Sequence, residues 1–337
     1  MRVAIRHSAA LTGLLVLLAA QAAGAGPSSS GVEHRADFER LGAGPASTKP
    51  ALSSTLLYGG GVDGIGVTSG QPRVYLVFWG SEWGTASTDS QGSTVFSNDP
   101  QSGAPAIQRF FQGLGTNRER WSTVLTQYCD GPLVAAGATT CPAGAPHVPY
   151  PGTGGVLAGV WYDDAGPLPP STHQPDLDAE AVRGAAHFGN TTAASNRYVQ
   201  YMILTATGTD ADHWVKSKWC AWHSYTPSAY GDVAYTNLPY VMDVGRACGG
   251  NFVNAGDAGV RDGYTIIGGH EYSETLTDQN PRGGWVAASG AENADECAWI
   301  RPGNQGGAAN LSLRTGSFPV QGSWSNASGQ CELEAPR

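Results

Sequence analysis

The stretch RVYLVFWG, Arg73–Gly80, holds six consecutive apolar or aromatic residues after its arginine. A run of that length without polar alternation predicts a β-strand covered on both faces. RYVQYMILTATG (Arg197–Gly208) predicts a second such strand, and VLAGVWYD (Val156–Asp163) a third. Between them APAIQRFFQGL places Ile107, Phe110, Phe111 and Leu114 at helical spacing, and RERWSTVLTQYC does the same with Trp121, Val124, Leu125 and Tyr128. DLDAEAVRGAAHF predicts a helix entered through acidic residues, and WCAWHSYT and VAYTNLPYVM two shorter strands. Within the last of these, Pro239 suits an edge position. This order predicts an α/β fold: a single domain with a mixed sheet and helices packed on it.

One further helix is expected from VRDGYTIIGGHEYSETLTDQNP, with Asp262 near its start, Tyr264, Ile266 and Ile267 as its apolar face, and Asn280-Pro281 as its stop. Gly268 and Gly269 each weaken a helix by about 1 kcal/mol relative to alanine, so close packing on the sheet or room beside a metal should require their small size. His270 and Glu274 are four residues apart and share a face, where they can chelate one ion. Glu271 lies about 100° further round the axis, which directs its carboxylate to water beside the metal instead of the metal itself. The string reads His-Glu-x-x-Glu, a zincin-like active-site helix in which a glutamate stands where a second histidine is usual.

A catalytic zinc usually takes three protein ligands. GAENADECAW supplies the third: Glu292 is the first choice, with Asp295 orienting His270 from behind, or the two roles exchanged. One imidazole with two carboxylates is a harder donor set than two imidazoles with one. Zinc is the expected ion, with manganese or calcium as alternatives. Two bland readings compete: Glu271 and Glu274 as a solvated helix face, and His270 as an ordinary buried imidazole. His223, between Trp222 and Ser224, is either a packing residue or the group that polarises a substrate carbonyl. Trp83, Trp214 and Trp285 are candidates to line a sugar- or peptide-binding cleft.

The N-terminal MRVAIRHSAALTGLLVLLAAQAAGAG has a basic start, a short apolar run and a small-residue cleavage site. Residues 1–25 are therefore read as a secretory signal peptide and the protein as secreted, extracellular or periplasmic. Its removal takes away Arg2 and Arg6, moving the formal charge from -9 by two units to -11. That sign disfavours nucleic acid and anionic lipid and leaves a peptide or a cell-wall or matrix polymer as partner. Residues 26–54, rich in Gly, Ser, Pro and Ala, read as a linker or pro-segment, and 55–337 as the folded domain. An exported chain with six cysteines implies disulfides; proximity suggests Cys129–Cys141, Cys220–Cys248 and Cys297–Cys331 among 15 connectivities.

From Tyr58 onward the chain resembles the EXORDIUM or phosphate-induced protein 1 family of exported plant proteins and their bacterial relatives. The resemblance rests on VYLVFWG, RYVQYMILTA followed by CAWHSY, DGYTIIGGHEYSETLTDQNPRGGW, and ENADECAW. It implies a wall- or matrix-associated exported protein, and reaches His223, His270, Glu271, Glu274, Glu292 and Asp295. The Cys129–Cys141 loop and the 137–175 stretch depart from that pattern. No G-x-S-x-G elbow, no phosphate-cradling G-x-x-x-x-G-K-[ST] and no G-x-G-x-x-G between a strand and a helix is present. Three functions are thus in play: a metal-dependent hydrolase acting on peptides, with Glu271 as base; a non-catalytic matrix protein; and, third, a glycoside hydrolase using Glu271 and Asp295.

Overall fold

The computed structural model describes residues 35–41 and 55–335; the expected signal peptide lies outside the described residues. Six strands form one sheet: β1 (Arg35–Glu39), β2 (Arg73–Trp79), β3 (Leu157–Asp163), β4 (Val199–Thr205), β5 (Trp219–Ser228) and β6 (Gly231–Leu238). Their spatial order is β1-β5-β6-β4-β2-β3. β2 pairs in parallel with β3 and β4, and β4 with β6, whereas β5 runs antiparallel to both β6 and β1. The protein is thus a mixed α/β fold, as the alternation of patterns predicts.

Both faces of the sheet are covered, which explains why β2 and β4 read as unbroken apolar runs. On one face Val74, Leu76, Phe78, Met202 and Leu204 pack beneath α1 (Gly103–Gly113) and α4 (Asp262–Thr277). On the other, Val77, Tyr201, Ile203 and Tyr235 meet Leu177, Ala181 and Ala185 of α2 (Gln174–His187). A short α3, Ala193–Asn196, leads into β4.

Several sequence expectations need correction. Residues Arg35–Glu39, inside the presumed linker, form the outer strand of the sheet, with Phe38 fully buried. Composition averaged over 26–54 hides this one strand-competent segment. β6 is an interior strand, not an edge; it ends at Leu238, so Pro239 removes no ladder bond. Trp121–Gln127 is a 3-10 helix in place of the expected α-helix. Trp83, Trp214 and Trp285 are 0 to 1% exposed and belong to the core, so they line no cleft.

All three disulfides suggested by proximity are formed, and no described cysteine is free. They are consistent with an extracellular protein. Among the described residues no helix is long and apolar enough to cross a membrane.

Candidate metal centre

Every residue of α4 is buried, so the helix is a central pillar and not a surface amphipath with one apolar face. It ends at Thr277, ahead of the Asn280-Pro281 stop, because Asp278 turns out of helical geometry and accepts the backbone N–H of Arg282 at 2.6 Å. Gln200 of β4 pins the helix to the sheet, donating to the carbonyl of Glu271 at 3.1 Å and to the Thr275 hydroxyl at 2.8 Å. The glycine pair is explained by a neighbouring helix. A Cβ on Gly268 would stand 2.8 Å from Ile107 Cδ1, and one on Gly269 3.3 Å from the Phe110 ring, both on α1. The tight approach is thus made against α1, not the sheet.

The residues singled out from sequence gather into one nest. His270, Glu271, Glu274 and Glu292 are at most 1% exposed, as is His223, which β5 presents on the same face; Asp295, on the loop after α4, is 24% exposed at its side chain. The solvated-face reading of Glu271 and Glu274 is therefore overturned. Ligand-capable atoms of His270, Glu274 and Asp295 lie within 4.8 Å of one another, and so do those of His223, Glu271 and Glu274. Glu292 meets the other histidine of the nest: its Oε2 is 2.7 Å from His223 Nε2. Geometry accordingly groups Asp295, not the first-choice Glu292, with His270 and Glu274.

Local hydrogen bonds assign the proton of His270. Gln321 Nε2 donates to the carbonyl of Ala294 at 2.7 Å, so its Oε1 must be the acceptor 3.2 Å from His270 Nδ1. Nδ1 then carries a hydrogen, and Nε2 points into the nest. There it meets Glu274 Oε1 at 2.9 Å and Asp295 Oδ1 at 3.5 Å. Gln321, not Asp295, does the orienting. Sequence reasoning missed it because a lone glutamine 51 residues away, between two C-terminal hairpins, carries no motif.

Buried polar atoms normally find hydrogen-bond partners. Here His270 Nε2, His223 Nδ1 and both carboxylate oxygens of Glu271 have none among the described residues. The His270 Nε2 faces the Glu274 and Asp295 carboxyl groups, an edge that either a carboxyl proton or a cation can hold together. Burial, the leading cause in each case, pushes the Glu271, Glu274, Asp278 and Glu292 carboxyls well above the usual carboxylate range, and pushes His223 down to about 4. Among the described residues none of these acids is paired with Lys or Arg. Burying several carboxylates without countercharge costs several kcal/mol each, so the donor set fits a divalent ion. A different cluster, Cys129, Cys141 and His147, offers no such fit because its cysteines are disulfide-bonded.

Compared with protein-family models, curated proteins and solved structures, the chain matches none.

Proposed function

We propose that this is an exported, metal-dependent peptide hydrolase with a zincin-like site. His270, Glu274 and Asp295 would hold a divalent ion, zinc being the best fit to an imidazole in a closed nest. The observation that carries the reading is the convergence of His270 Nε2, Glu274 Oε1 and Asp295 Oδ1, with 2.9 and 3.5 Å from the imidazole nitrogen to the two carboxyl groups, in a nest whose buried acids pair with no Lys or Arg among the described residues. When bound, such an ion supplies Lewis acidity, polarising a carbonyl and lowering the pKa of water.

The chain's own residues do the rest. Glu271, with neither oxygen committed to a partner, is the base. It takes a proton from water as the water oxygen adds to the scissile carbonyl carbon, and delivers it to the leaving nitrogen as the C–N bond breaks. Gln321 fixes the tautomer of His270. His223, held by Glu292, is the candidate partner for charge developing on the carbonyl oxygen. The EXORDIUM-like resemblance and the three disulfides agree with an exported protein, and peptides or wall and matrix polymers are the substrates it would meet.

One observation favours a second reading, a non-catalytic matrix protein with a structural ion: the nest is closed to solvent except at Asp295. Glu271→Gln separates the two. The hydrolase reading expects a peptide substrate that wild type cleaves and that Glu271→Gln cleaves about 10² to 10⁴-fold more slowly with its ion retained. Equal cleavage by both would remove Glu271 as the base.

A further inference from the structure

A site this deeply covered can meet a polymer only if part of its cover is itself replaceable. The cover over His270 is β1. Phe38 stacks on the His270 ring at a centroid distance of 3.8 Å and on Trp299 at 4.8 Å, filling the slot between them. β1 is held as an outer strand: among the described residues it pairs antiparallel with β5 alone, Ala36 standing opposite His223 and Phe38 opposite Ala221. Its C-terminal end is fastened by Arg40, which donates to the carbonyls of Trp214 at 2.5 Å and Trp219 at 3.2 Å. Trp299 Nε1 adds a bond to the carbonyl of Glu39 at 2.8 Å. Past Leu41 the surface opens into a groove lined by Arg246, Phe252, Arg301 and Pro302.

Main-chain pairing along a sheet edge plus one side-chain pocket is how extended peptides are recognised generally: the ladder supplies affinity and the pocket specificity. Both parts are present here, already filled by the chain's own residues. We propose that the β5 edge and the His270–Trp299 slot form the peptide-binding cleft, that its ligand is an extended peptide with an aromatic side chain in the slot, and that Arg35–Glu39 occupies it as an internal pseudo-substrate. The proposal rests on the hydrolase reading for what happens to a bound peptide, but not for the binding itself.

The cleft competes for one of two occupants, so weakening the internal one should release β5 and admit the other. The test uses the full exported chain as wild type, Phe38→Ala and Arg40→Ala, the last loosening β1 without touching the slot. Hydrogen exchange should quicken at least tenfold at the β5 amides in the variants and stay unchanged in β4. A labelled peptide of the chain's own sequence, Arg-Ala-Asp-Phe-Glu-Arg-Leu, should bind the variants at least tenfold more tightly than wild type. Replacing its phenylalanine by alanine should abolish that binding. Should Phe38→Ala fail to fold, Arg40→Ala carries the same comparison. Unchanged β5 exchange with no peptide binding in the folded variants would overturn the proposal and make β1 a permanent core strand. Peptide binding without cleavage of any library peptide supports the cleft while removing the hydrolase reading. Equal cleavage by wild type and variants with unchanged exchange does the reverse.

Discussion

On the proposed metal reading, the ion-free protein should lose stability as pH rises, the opposite of ordinary acid unfolding. Glu271, Glu274, Asp278 and Glu292 are at most 1% exposed, and burial holds each carboxyl well above the usual range. Such a group keeps its proton in the native chain, whereas the unfolded chain releases it near pH 4 to 4.5. Its stabilising share is complete below that pH and is lost as pH climbs toward the folded pKa. The loss runs at about 1.4 kcal/mol per pH unit for each carboxyl that stays protonated in the native chain and ionises in the unfolded one. A divalent cation reverses the sign, because ligands bind it deprotonated and affinity grows with pH. Thermal unfolding of chelator-dialysed and metal-reloaded protein, side by side from pH 5 to pH 8, reads both slopes. The ion-free midpoint should drop steadily and the loaded one should hold or rise. An ion-free midpoint that stays flat or rises would refute the reasoning, since the nest would then tolerate ionised carboxylates without a cation.

Other consequences are local. Gln321→Leu should leave the fold intact but weaken the ion about 10 to 100-fold by competition titration, because His270 loses its orienting acceptor. Gly268→Leu should destabilise by about 1 to 3 kcal/mol or more in a denaturant titration, as its Cβ alone approaches Ile107 Cδ1 to 2.8 Å. Cys331→Ser opens the Cys297–Cys331 bridge, which spans 34 residues beside Asp295, and should cost about 3 to 4 kcal/mol in reversible unfolding.

What could be read from the sequence followed from how strongly burial marks it. β2 and β4 are covered on both faces, so their apolar runs announced themselves, and the start of α4 followed from Asp262; its end did not, because Asp278 turns the chain out of the helix ahead of Asn280-Pro281. β1 was missed because its buried aromatic residue, Phe38, stands alone in a glycine- and serine-rich stretch of sequence. Pro239 misled because it follows a strand instead of interrupting one. Within the site, helical periodicity alone put His270 and Glu274 on one face. The choice between Glu292 and Asp295 depended on how the loop after α4 folds back: its Asp295 backbone N–H donates to Glu274 Oε1 at 3.1 Å, while Glu292 is drawn to His223. Spacing along the chain does not encode that turn, nor the C-terminal hairpins that bring Gln321 under His270.

The central claim is that His270, Glu274 and Asp295 hold a divalent ion. Elemental analysis of the purified protein, never exposed to chelator and dialysed against metal-free buffer, tests it when run beside His270→Ala. The account predicts about one equivalent of ion per chain in wild type, as one three-residue site requires, and its loss in the variant. Less than roughly a tenth of an equivalent of any transition metal or calcium in wild type, well short of the occupancy a structural or catalytic site maintains, would contradict it.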